Sequence, residues 1–167
     1  MKRGLVLLLA ALAVVLTAAS TMRNRVWRDD LLLWQDAAAK NHGTARTCSG
    51  LGDAYVLAER FDEAAAQYQQ AVVLGPGSAD AHYNLGTVYL RLQRFDGAIQ
   101  ELQRALALDP GHAEARGNLG LAFWKQGRLD DAIRAFQDAL KIRPDYTDAY
   151  LNLELALIQK NRQRGAH

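Results

Sequence analysis

Residues 85–110 read LGTVYLRLQRFDGAIQELQRALALDP, and the same plan stands 34 residues before and 34 residues after. Residues 51–76 are LGDAYVLAERFDEAAAQYQQAVVLGP, and residues 119–144 are LGLAFWKQGRLDDAIRAFQDALKIRP. Each segment opens on a Leu-Gly pair (Gly52, Gly86, Gly120) and then carries an aromatic, Tyr55, Tyr89 or Phe123. Ala64, Ala98 and Ala132 follow, then Tyr68, Leu102 and Phe136, then Ala71, Ala105 and Ala139. Pro76, Pro110 and Pro144 close the segments. Within a segment these places fall three or four apart, which is one face of a helix. Two helices approach closely only where a side chain is small, so the glycines and alanines are read as contact points. The aromatics and leucines are read as the pieces filling the space beside them. Proline cannot continue a helix and marks the link to the next hairpin.

The spacing predicts first helices near residues 45–58, 79–92 and 113–126, and second helices near 61–74, 95–108 and 129–142. Arg60-Phe61-Asp62, Arg94-Phe95-Asp96 and Arg128-Leu129-Asp130 open the second helices. An Asp there is favoured by the free N–H groups and the helix dipole. The plan continues at both ends. Tyr150, Leu153 and Leu157 match first-helix places, with Glu154 where glycine would stand, so residues 146–160 are expected to form a capping helix. Gln159 to Gln163 give it a polar close. Trp27, Trp34 and Ala37 match the second-helix places of Phe61, Tyr68 and Ala71, so residues 27–40 read as a lone second helix covering the other end.

Half of the 167 residues are apolar, 23% are charged and only three are proline, which favours an all-helical fold. A net charge of +2 is too near balance to suggest nucleic acid as partner. The single cysteine, Cys48, excludes an internal disulfide framework and a cysteine-rich metal site.

The first 22 residues differ from the rest. Lys2 and Arg3 precede an uncharged run from Gly4 to Met22. Nineteen helical residues reach about 28 Å, near the roughly 30 Å of a bilayer core. One reading is an uncleaved transmembrane anchor; the other is a cleaved secretory signal ending near Ala18, Ala19 and Ser20. Lysine and arginine counts on the two sides are almost even, and the signal-like order favours an outside C-terminal domain. The expected location is a bacterial inner membrane with the repeats in the periplasm, or the periplasm itself after cleavage.

The repeated residues match the W-x2-L-G-x2-Y, A-x3-F, P pattern, and the chain resembles the tetratricopeptide repeat (TPR) family over residues 45–144. That resemblance implies an all-α, right-handed α-solenoid of three hairpins, 44–77, 78–111 and 112–145. A linker and lone capping helix (23–43) would precede them, behind the transmembrane or signal helix. The capping helix and a polar tail at 161–167 would follow. The leading aromatic place holds Cys48, His82 and Arg116, with Tyr150 in the last helix. Such variety reads as a surface position. A second, shorter resemblance joins the apolar run and Arg25-Val26-Trp27 to the C-terminal end of repeat-bearing membrane O-mannosyltransferases. It implies topology and a possible accessory role in substrate capture; the catalytic part of that family is missing here.

No cluster of acids, bases, nucleophiles or ligands announces an enzyme, a metal or a cofactor. His42, His82, His112 and His167 are scattered, and a Cys48–His82 pair lacks an orienting third group. Asp29-Asp30 and Asp130-Asp131 read as helix-start charges, and Gly75-Pro76-Gly77 lacks phosphate-loop spacing.

Binding is the better expectation. First helices line the inner surface of such arrays. Asn84, Asn118 and Asn152 recur there, each able to donate and accept towards a peptide backbone. The alternative is that these amides only satisfy groups within the fold. Asp80, Glu114 and Asp148 would give the groove an acidic edge, and Tyr83, Leu121 and Trp124 an apolar grip. Ser49, Asp53, Asn84, Glu114 and Asn118 fill the places where a carboxylate clamp needs cations, which disfavours an acidic chain end as ligand. The expected partner is an extended peptide or a helix of another protein, with membrane contact through residues 4–22. No small-molecule substrate is expected.

Overall fold

In the computed structural model, which describes residues 32–34, 36 and 43–165, seven helices run from Ala45 to Gly165. They pair as hairpins α1–α2 (Ala45–Leu57, Phe61–Leu74), α3–α4 (Ala79–Arg91, Phe95–Leu108) and α5–α6 (Ala113–Lys125, Leu129–Ile142), followed by α7 (Thr147–Gly165). The two helices of each hairpin pack together, each second helix packs on the first helix that follows it, and α3 touches α5 as α5 touches α7. The expected hairpins are present, with boundaries shifted by a single residue at the ends of the first helices.

The small places decide the approach. A methyl group built on Gly52, Gly86 or Gly120 would lie 2.6, 2.8 or 2.7 Å from the side chains of Tyr68, Leu102 and Phe136. Ala64, Ala98 and Ala132 are fully buried opposite them. Glycine on the first helix and a large residue on the second therefore form one interlocking pair per hairpin. In the first hairpin the Tyr68 hydroxyl also donates to Asp53 at 2.5 Å. Burial and the Asp53 carboxylate together push the Tyr68 phenol well above its ordinary value.

Helix ends repeat as the helices do. Thr44 and Ser78 cap the first helices, accepting from the backbone of Thr47 and Ala81. Glu59, Gln93 and Gly127 occupy one place in the three turns and all have left-handed backbone, with φ of 59°, 58° and 77°. Only the glycine adopts it without steric cost. Arg60 and Arg128 then lie over the rings of Tyr55 and Phe123, at 4.8 and 4.3 Å from the ring centres.

Four expectations change. In the three hairpins the leading place is not a surface place: Cys48 and His82 are 7% and 4% exposed, and Arg116 is half-buried with its Nε unpartnered, while Tyr150 at the same place in α7 is exposed. It faces the core, where His82 Nδ1 meets Glu101 at 2.6 Å and Nε2 meets the Pro76 carbonyl at 3.1 Å. Second, the helix-start aspartates lie in the first turns as expected, but they make no side-chain cap and their carboxylates reach across to the neighbouring repeat. Asp62 accepts from Arg94 at 2.8 Å, Asp96 from Gln126 at 2.6 Å, and Asp130 from Lys160. Lys160 holds the Asp130 carboxyl below the usual carboxylate range. Third, the tail is not free from residue 161 onwards, because α7 continues to Gly165. Fourth, α7 is not closed by a polar face, since Tyr150, Leu151, Leu155 and Ile158 are all exposed.

The apolar run of residues 4–22 and most of the lone helix at 27–40 lie outside the described residues. Among the described residues no helix is long and apolar enough to cross a membrane. Trp34 is described and helical, and a methyl group on Gly50 would lie 2.6 Å from its indole. Trp34 thus covers α1 at the place where later repeats carry Asn84 and Asn118. Asparagine there would collide with the indole, which accounts for the glycine.

The His82 contacts lead to a measurable consequence. His82→Ala strands the Glu101 and Pro76 acceptors and is expected to lower unfolding free energy by about 1–3 kcal/mol. Urea midpoints at constant m-value test it, and an unchanged midpoint would show the contacts to be incidental.

Candidate functional site

Two adjoining depressions mark the face made by the first helices. The larger, about 350 Å³, lies between α3 and α5 and is lined by Thr87, Leu90, Arg91, Phe95, Asn118, Leu121 and Lys125. The smaller, about 210 Å³, lies between α5 and α7 and includes Asn118, Leu121, Tyr146, Asp148, Leu151 and Asn152. Asn118 and Leu121 belong to both, so they form the ridge between them.

Of the residues expected from sequence, Asn118, Asn152, Leu121 and Asp148 come together here. Asn118 Nδ2 donates to Thr87 Oγ1 at 3.0 Å, which leaves its carbonyl oxygen to accept. One half of the amide is thus used within the fold and the other half is available. Asn84 is half-buried one repeat earlier and forms no side-chain hydrogen bond among the described residues. Asp80 and Asp148 are exposed.

The remaining three are engaged elsewhere. Glu114 pairs with Arg143, whose guanidinium holds the carboxyl below its ordinary range. The Tyr83 ring stands 4.5 Å from the His112 ring. Trp124 Nε1 donates to Gln159 at 2.6 Å and so ties α5 to α7.

Sequence reasoning missed Thr87, Leu90, Arg91, Phe95, Lys125, Tyr146 and Leu151. A signal existed for two of them, because Arg91 and Lys125 are one repeat apart. They give the face a basic edge near the C-terminal ends of the first helices, opposite Asp80 and Asp148 near the N-terminal ends. Both edges suit the helix dipoles. The floor between them is apolar, with Leu90, Leu121 and Leu151.

Among the described residues no cysteine, serine or histidine lines these depressions. Cys48 is buried, and burial pushes its thiol above the ordinary value. Both His82 nitrogens already have partners. No group of three or more metal-ligating side chains occurs among the described residues.

A stack of equal helical hairpins with a recessed first-helix face is a helical-repeat scaffold, a fold for interaction between proteins. More specifically, the chain belongs to the tetratricopeptide repeat family, whose model matches residues 49–113, 88–147 and 118–162. Among solved structures it resembles the crystal structure of MamA, at 30% identity and a TM-score of 0.75, covering 78% of this chain and 77% of that one. It also resembles YrrB, described as a TPR protein with an unusual peptide-binding site, at 28% identity and a TM-score of 0.70 over 87% and 73% of the two chains. The first TPR of Spaghetti (RPAP3), bound to the HSP90 peptide SRMEEVD, shares the fold at 22% identity and a TM-score of 0.69 over 71% and 94%. No curated protein matches the sequence.

Proposed function

We propose that this chain is a membrane-tethered, non-enzymatic adaptor that holds a segment of a partner protein on its first-helix face. The observation that carries the reading is the pair of depressions sharing Asn118 and Leu121. An amide with a free acceptor stands on an apolar floor between an acidic and a basic edge. Such a surface suits a peptide with apolar side chains pointing down and its backbone N–H groups meeting Asn118 and Asn152. A peptide as ligand is supported by YrrB, whose structure is described as having an unusual peptide-binding site.

The test is capture of partners from native membranes. Asn118→Ala with Asn152→Ala is expected to weaken capture about tenfold, near 1.4 kcal/mol, with helicity unchanged. Thr87→Val separates the outward acceptor of Asn118 from its internal bond and should weaken capture less. Undiminished capture by the double variant would end the reading.

The tether rests on the run from Gly4 to Met22. The chain should stay with membranes through an alkaline wash and be released if a signal has been cleaved. Cys48 is too buried to report orientation by thiol labelling. Val73→Cys in a Cys48→Ala background places the thiol at a 75% exposed site and is expected to label from the outer face. An accessory role beside a membrane glycosyltransferase predicts that the captured partner is a multi-span protein.

A further inference from the structure

Helix α7 leaves Leu151, Leu155 and Ile158 at 53%, 50% and 46% exposed. Their steps of four and three residues put them on one stripe. Asp148 extends the stripe at one end and Arg162 at the other with the same alternation, at positions 148, 151, 155, 158 and 162. That is the seam by which helices pair side by side. In the hairpin before, the equivalent places partly meet the next helix: Gly117 lies against the Tyr146 ring, Trp124 donates to Gln159, and Leu121 lines both depressions. The α7 stripe continues that face, and nothing among the described residues covers it.

The stripe is complementary to itself. Asp148 stands seven residues before Leu155 and Arg162 seven residues after it. Both are exposed, and neither is ion-paired among the described residues. A two-fold axis through Leu155 brings the acidic start of one α7 beside the basic end of another. Leu151 of each copy then lies across from the Ile158 end of the other. Antiparallel pairing also sets opposite helix dipoles together.

We propose that this chain self-associates as a two-fold dimer through α7, with Leu155 at the axis and Asp148 of each copy beside Arg162 of the other. Such an interface is isologous and closes on itself. One helix per copy is small against the about 800 Å² per partner of a standard interface, so the dimer is weak and concentration-dependent. Leu151 also lines the smaller depression. Dimer formation and occupation of that depression therefore exclude each other, although the dimer does not depend on the proposed partner.

The test uses the full chain in membranes, with Cys48→Ala and Leu155→Cys, oxidised and run on a non-reducing gel. A disulfide dimer is expected, and none from Val73→Cys. Asp148→Arg should lower dimer yield by about fivefold, and adding Arg162→Asp should restore it. Sedimentation of the unaltered chain in mild detergent should show the mass rising towards twice the monomer with concentration. The proposal is overturned by no dimer from Leu155→Cys, equal yield from Val73→Cys, a cross-link to a different polypeptide, failure of the charge exchange to restore yield, or a strictly monomeric wild type.

Discussion

Replacing Phe136 by alanine is expected to remove about 3–5 kcal/mol of stability. Phe136 is a large, fully buried side chain in the cluster that joins the last two hairpins. Gly120 of the facing helix lies directly against the ring, and the cluster around it is buried, so removing the ring leaves a cavity. A whole domain is stable by only about 5–15 kcal/mol. In a stacked array the loss falls on one hairpin and its two interfaces. Amide exchange should therefore lose protection in α5 to α7 before α1 and α2, and urea unfolding should broaden into two steps. Uniform loss of protection along the chain would show that the array melts as one unit.

The second large effect comes from the other half of the same pair. Gly120→Val places a branched side chain where even a methyl carbon would lie 2.7 Å from the Phe136 ring. With that ring fully buried, the helices must separate or the ring must leave its rotamer. The expected cost is about 3 kcal/mol, the upper part of the range for overpacked cores. Gly120→Val combined with Phe136→Leu should cost less than the two single changes added together, because the smaller side chain relieves the clash. Additive costs would mean that the contact does not set the helix separation. The denaturation midpoint of the double variant decides between them.

The hairpins were legible in the sequence because the pattern records pairs of sizes. Gly86 with Leu102 and Gly120 with Phe136 each show one place left small and one filled, at constant spacing. The groove was only partly legible. Asn118 and Asn152 were found by recurrence, but recurrence cannot tell a free amide from one bonded to Thr87. The same limit hid the fates of Glu114 and Trp124, whose partners Arg143 and Gln159 lie 29 and 35 residues away. Arg91 and Lys125 were missed although they recur, because only the fold shows that the last turn of each first helix borders the depression.

By itself the sequence determined the helices, their pairing and their order, since each of these follows from local periodicity and the alternation of small and large residues. The tertiary structure alone decided what each recurring place faces. Cys48 and His82, so unlike one another, turned out to share a buried place because Glu101 and Pro76 supply polar partners there for the imidazole. Asp62, Asp96 and Asp130 turned outward to join neighbouring repeats. Leu151, Leu155 and Ile158 are left uncovered among the described residues because burial depends on what packs against a face, and spacing along one helix carries no record of that.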